Sequence, residues 1–181
     1  VTVKNKSTLD SGDIWLTAGK SYEDKNTTEV LSADSDMNLT VSDSTLKASE
    51  DATLVGAAVN LTNTSLTVGT EGQDTTGTNG IVRLAAGQDV TLYDQDGRGF
   101  GIESVDKTGN LTMNKVTLSA QGDVMAYGKT VKLQDSNLST TNDQDLTINA
   151  LNTYKRVDGT SDTWTATKDN TMDVTGTTLT N

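Results

Sequence analysis

The sequence predicts an all-β chain wound as a β-solenoid of about six to seven three-stranded coils, and three observations carry that prediction. An apolar-x-apolar motif, usually led by Asp or Asn, returns along the whole chain. Many of these pairs are followed five residues later by another apolar residue, as from Val41 to Leu46, Leu61 to Leu66, Met113 to Leu118, Leu133 to Leu138 and Val174 to Leu179. Equivalent positions then recur at 20 residues, as from Leu46 to Leu66 and from Leu118 to Leu138. Persistent alternation reads as short half-buried strands, and a fixed period with no helical segment reads as stacked coils.

Taken in order, Val1-Thr2-Val3 opens the first coil, and the 11-residue step to Ile14 places Ile14/Leu16 on its third strand. The same step leads from Val41 to Ala52/Leu54 and from Met113 to Val124/Ala126. Val59/Leu61, Val82/Leu84 and Val90/Leu92 continue the pattern. Within 94–109 it weakens, and Ile102 or Val105 is read as the middle strand of a coil with a degenerate third strand. Residues 110–149 form the clearest pair of coils. Met172/Val174 and Leu179 give two strands of a last one. The expected inward set is Val41, Leu46, Leu54, Leu61, Leu66, Leu84, Leu92, Met113, Leu118, Leu133, Leu138, Ile148 and Val174. Stretches 19–36, 69–80 and 151–170 interrupt a register that otherwise holds, so they are expected to project as loops or hairpins, with Asp158-Gly159 as a hairpin turn.

Composition agrees with this architecture. Hydrophobic residues make up 33% and aromatics 4% of the 181 residues, with a net charge of -11. Such values usually accompany disorder, but stacked coils bury small aliphatic residues in ladders and pair nearly every backbone amide, so a modest apolar content suffices. Pro, which would remove a ladder donor, is absent. His and Cys are absent too, which excludes most nucleophile–base constellations, thiolate and imidazole metal sites and disulfides. The negative charge argues against nucleic acid and anionic membranes as partners. No apolar run of 18 residues exists and Val1-Thr2-Val3-Lys4 lacks signal-peptide character, so the expectation is a soluble chain, mature or a fragment, without membrane insertion.

The phrases Gly12-Asp-Ile-Trp-Leu-Thr-Ala-Gly19, Asp36-Met-Asn-Leu-Thr-Val-Ser-Asp-Ser-Thr-Leu-Lys-Ala48 and Gly122-Asp-Val-Met-Ala-Tyr-Gly128 resemble the repeats of filamentous-haemagglutinin-type exoproteins. That group includes two-partner-secreted adhesins and contact-dependent inhibition stalks. The resemblance covers most of the chain outside the interruptions, and its motif is a fold signature without catalytic residues. It implies a right-handed parallel β-helix, secretion to the bacterial surface, and adhesion or display.

Each candidate site has a plainer counterpart. Asp13, Asp36, Asp51, Asp89, Asp123 and Asp145 precede strands, and a column of them would suggest calcium; turn Asp residues that satisfy corner amides explain them as well, and no calcium β-roll repeat is present. Asp94-Gln-Asp96-Gly97-Arg98-Gly99 begins like an EF-hand loop, but Arg98 and Val105 fall where oxygen ligands are required. Gly97-Arg-Gly99-Phe-Gly101 has no helix after it to present amides to phosphate. No cofactor or metal is therefore expected. Carboxylate pairs such as Asp94 with Glu103, or Asp158 with Asp162, define the rival reading, a polysaccharide-degrading hydrolase or lyase. Three arginines and sparse aromatics argue against a sugar-cleaving cleft, so no enzymatic activity is expected. The expected role is a stalk segment of a secreted adhesin, in which loops on a rigid scaffold contact a receptor or glycan of a host or neighbouring cell. Tyr22, Tyr154, Arg156 and Trp164 are the contact candidates. Strand edges expected at both ends suggest end-to-end self-association.

Overall fold

A computed structural model of the chain describes residues 1–25, 28–70, 80–94, 100–141, 144–156 and 162–181. Among these residues there are strands and turns and no helix. Three parallel sheets form the walls of a β-helix. The first stacks Thr2–Val3, Leu39–Ser42, Val59–Thr62, Asn110–Asn114, Thr130–Gln134 and Thr171–Thr175; the second stacks Thr8–Ser11, Thr45–Ala48, Ser65–Val68, Thr117–Ala120, Asn137–Ser139 and Thr178–Thr180. The third joins Ile14–Ala18, Ala52–Gly56, the first half of Val82–Asp94, Val124–Gly128 and Leu146–Ala150. This gives six coils, the sixth with two strands.

The apolar period becomes ladders. Leu46, Leu66, Leu118 and Leu138 stand in register on the second sheet, and Val41, Leu61, Met113 and Leu133 on the first. All eight are fully buried, as are Leu54 and Leu84 of the third sheet. Three members of the expected inward set differ. Leu92 is buried, but in a second core outside the shaft. Ile148 is only half-buried, and Val174 is 44% exposed, because no described strand stacks beyond them. Met172 and Leu179 are exposed on the same last coil.

The corner between the first and second sheets repeats one device. Asp43, Asn63, Lys115, Asp135 and Gly176 all have positive φ and occupy the same step of successive coils. Asn, Asp and Gly accept this left-handed conformation most easily. A hydroxyl follows in four of the five coils and bonds a carbonyl two residues back: Ser44 to Ser42 at 2.7 Å, Thr64 to Thr62 at 3.0 Å, Ser136 to Gln134 at 2.8 Å and Thr177 to Thr175 at 3.2 Å. The corner before the third sheet uses Asp instead. Asp13 accepts from the Asp51 amide, Asp51 from the Ile81 amide and Asp123 from the Asp145 amide. Two of the six aspartates stand elsewhere: Asp36 precedes a first-sheet strand, and Asp89 lies on a hairpin, ion-paired to Lys107 at 2.8 Å.

Three insertions leave the shaft at the third corner, after the third strand of alternate coils. In the second coil Ala57 and Ala58 lead straight onward, and in the fourth Lys129 alone separates the strands. After the first, third and fifth coils a hairpin intervenes: Ser21–Lys25 with Thr28–Ser32, the second half of Val82–Asp94 with Phe100–Thr108, and Thr153–Lys155 with Thr163–Thr165. Paired strands lie about 4.8 Å apart, so a two-stranded hairpin is as wide as two coils are tall. Hairpins from every second coil therefore meet edge to edge. Thr28–Ser32 pairs antiparallel with 89–93, and 104–105 with 154–155. The interruptions expected at 19–36 and 151–170 are hairpins, but they join a common sheet instead of projecting separately. The expectation for 94–109 is corrected: Ile102 and Val105 belong to the return strand of a hairpin and not to a coil. Alternation could not separate the two cases, since an amphipathic hairpin strand has the same period of two. Residues 71–79 of the 69–80 insertion, the 95–99 part of the EF-hand-like and glycine-rich runs, and Asp158-Gly159 lie outside the described residues.

Gly109 marks where the second hairpin rejoins the shaft. Its amide donates to the Ala86 carbonyl at 2.9 Å and its carbonyl accepts from Lys129 at 2.7 Å, so it carries the ladder through the corner. A Cβ at this position would collide with the Ala57 carbonyl oxygen.

Candidate functional site

The antiparallel layer gives one face of the shaft its chemistry. On the outward sides of the first two sheets stand residues such as Thr40, Asn60, Thr112, Lys132, Lys47 and Thr67, none of them buried. The third sheet is different: Val55, Ala85 and Tyr127 point outward and are buried, because they meet Leu31, Val90, Leu92, Ile102, Val105 and Leu151 of the layer and its base. Arg83, also outward on this sheet and 1% exposed, is neutralised by Asp51 at 3.0 Å. At the hairpin bases Lys20 meets Asp34 and Lys107 meets Asp89, both at 2.8 Å. Each lysine is held above its usual pKa chiefly by the hydrogen bond to that carboxylate.

A depression opens at each end of this face. Over the first coil, Trp15, Thr17, Tyr22 and Glu29 bound a shallow hollow of about 460 Å³. Over the fourth and fifth coils, Tyr127, Thr147, Asn149, Tyr154, Asp162 and Trp164 line a cleft of about 370 Å³, with Ala150, Leu151 and Ala166 at its margins. Strand geometry assembles this second site. Thr147 and Asn149 alternate with inward Leu146 and Ile148 on the last third-sheet strand, and Tyr127 stands in register with Asn149 on the neighbouring strand. Tyr154 and Trp164 are directly opposite in the third hairpin, hence on one side of it.

The aromatic row runs from core to solvent. Tyr127 is buried, Tyr154 stacks on it with ring centroids 4.7 Å apart and planes at 27°, and Trp164 is 65% exposed. The Tyr154 hydroxyl donates to Asp162 Oδ2 at 2.8 Å. Burial first, and then that hydrogen bond, hold the Tyr154 phenol well above its usual range.

Of the contact residues expected from sequence, the structure brings together Tyr154 and Trp164. Tyr22, 56% exposed, belongs to the hollow at the opposite end with Trp15. Arg156 lies just past the third hairpin's first strand and not among the cleft residues; its amide donates to the Glu103 carbonyl at 2.7 Å. Tyr127, Thr147 and Asn149 are not among the residues expected from sequence, and Asp162 enters there only as a partner of Asp158. The available signal was the apolar outward position of the third strands, Val55, Ala85 and Tyr127, which marks a covered face. In the rival constellation, Asp94 pairs with Phe100 in the hairpin ladder while Glu103 sits at the bulge between the Thr91–Ser104 and Leu92–Ile102 pairs, so the ladder does not set the two opposite each other. Among the described residues no group of three or more acidic side chains gathers to hold a metal, and no helix is long and apolar enough to cross a membrane. Compared with known proteins, the chain matches no family model, no curated protein and no solved structure.

Proposed function

We propose that this chain is a structural shaft segment of a secreted bacterial adhesin or surface filament, and that the antiparallel hairpin layer is its contact face. The observation that carries the reading is the unequal treatment of the three faces. Two are plain ladders of polar side chains, whereas the third bears hairpins from alternate coils, with aromatic residues exposed where the layer ends. A scaffold that only bridges distance has no use for such a layer, and recognition residues concentrate on segments displayed by a rigid frame. The partner is a receptor or glycan on a host or neighbouring cell. Neither nucleic acid nor the lipid bilayer is engaged, in keeping with the net charge of -11. The reading gives the chain no catalytic step.

The test replaces residues 19–36 or 151–170 with short links like those of the second and fourth coils. Binding to cells and to a panel of surface proteins and glycans is expected to fall for at least one replacement that keeps the β-rich circular-dichroism spectrum. Equal binding by both would overturn the reading. Release of reducing ends or unsaturated uronates from polysaccharides would replace it with the enzymatic one.

A further inference from the structure

We infer that the cleft between the third hairpin and the end of the third sheet is a binding site for a neutral saccharide. The inference rests on the hairpin layer being the contact face, and it names the ligand class. Of the chain's seven aromatic residues, three converge here. Their sparseness over the whole sequence argued against a sugar-binding cleft, but the fold gathers them. Trp164 presents a large exposed ring, and Tyr154 beside it is fixed from behind by its stack on Tyr127. A stacked tyrosine costs little ordering entropy on binding, and the two rings offer flat faces to the C–H side of a pyranose ring.

The polar groups are of the kind that read hydroxyls. Thr147 supplies a hydroxyl, Asn149 an amide with both donor and acceptor, and Asp162 a carboxylate whose Oδ2 is aligned by the Tyr154 hydroxyl at 2.8 Å. A cavity of about 370 Å³ lies within the usual size of small-molecule sites, with a few convergent polar atoms on an otherwise aromatic wall.

Charge selects among ligands. Among the described lining residues Asp162 is the one carboxyl, and none is a lysine or arginine. A sialylated, sulfated or uronate-bearing glycan would bring its anion to a carboxylate without a cation to offset it, on a chain already at -11. Neutral hexoses and N-acetylhexosamines meet no such penalty.

The test uses the full chain on an array of neutral and acidic oligosaccharides, followed by titration calorimetry with the best neutral ligand. Neutral glycans are expected to bind and their sialylated or sulfated counterparts to bind at least about tenfold more weakly. Trp164→Ala, at an exposed position, is expected to weaken binding about tenfold or more, as loss of an interface anchor does. Asn149→Ala should also weaken it, and Lys132→Ala on the outward polar side of the first sheet should leave it unchanged. Loss of cell binding on replacing 151–170 with no glycan bound would overturn the saccharide inference and leave the contact face standing. Binding that prefers acidic glycans, or that Trp164→Ala does not alter, would also overturn it.

Discussion

The shaft and the hairpin layer share one apolar alternation and one strand spacing, yet they are put together in opposite ways. In the shaft every strand meets its own equivalent one coil away, so Leu66 touches Leu46 and Leu118 in a parallel ladder. In the layer no residue meets its equivalent: Val90 pairs with Leu31 on one side and Val105 on the other, both antiparallel. A parallel stack repeats whatever chemistry it holds, including its polar faces. Antiparallel hairpins bring together side chains that no repeat relates. The shaft thus supplies reach while the layer supplies individuality, and the equality of hairpin width and two-coil rise lets them grow side by side.

The largest effects are expected in the shaft. Leu118→Ala removes a fully buried side chain with ladder neighbours on both sides, Leu66 and Leu138. It should cost about 2–5 kcal/mol, read as a lower urea midpoint with amide exchange accelerated through the neighbouring coils. A loss confined to one strand would show that the coils are not the cooperative unit. Leu92→Ala opens a similar hole in the second core. We expect about 2–4 kcal/mol, expressed as faster exchange in 28–32, 89–93 and 100–108 while the amides of 59–62 and 111–113 keep their protection. Equal acceleration in both sets would make shaft and layer one folding unit.

This contrast also explains what could be read from sequence. The five-residue offset from Val41 to Leu46 and its echoes fix the ladders, because stacking turns a sequence period directly into contacts. Val90 and Leu92 carry the same alternation but belong to the layer, and nothing local distinguishes a strand that stacks on its equivalent from one that turns back on itself. Val174 follows the period faithfully and is exposed, since burial in a ladder depends on the next coil and not on the residue. Half of the cleft was legible as exposed aromatics on an insertion, Tyr154 and Trp164. The other half, Tyr127 with Thr147 and Asn149, faces outward from strands that looked purely structural, and only the meeting of hairpin and shaft makes it a site.

A smaller effect tests the corners that hold the shaft in register. Lys115 alone among the described turns of the first corner in coils two to six is neither Asp, Asn nor Gly, yet it adopts φ 55°. A left-handed conformation costs an ordinary residue about 1–2 kcal/mol, part of which Gly returns through its greater freedom when unfolded. Lys115→Gly should therefore stabilise the chain by about 0.5–1 kcal/mol, raising the urea midpoint. Asn63→Ala should do the reverse, since it loses both the tolerated conformation and the 3.0 Å bond from Asn63 to Asp43 on the preceding coil.

The smallest expected effect belongs to the layer and appears only in alkali. The folded chain holds the Tyr154 phenol above its usual pKa, by burial and then by the bond to Asp162. An unfolded tyrosine ionises near pH 10. Above that pH the unfolded state has released a proton that the folded state still binds, so stability must fall as pH rises, and the contribution is fully present below it. Tyr154→Phe abolishes this term and leaves the stack on Tyr127 in place. The urea midpoint of wild type is expected to drop more steeply between pH 9 and pH 11 than that of the variant, with the lysine pairs at the hairpin bases common to both. Identical slopes would mean that Tyr154 is as solvated in the folded chain as in the unfolded one, and the third hairpin would then not be seated on the shaft in solution.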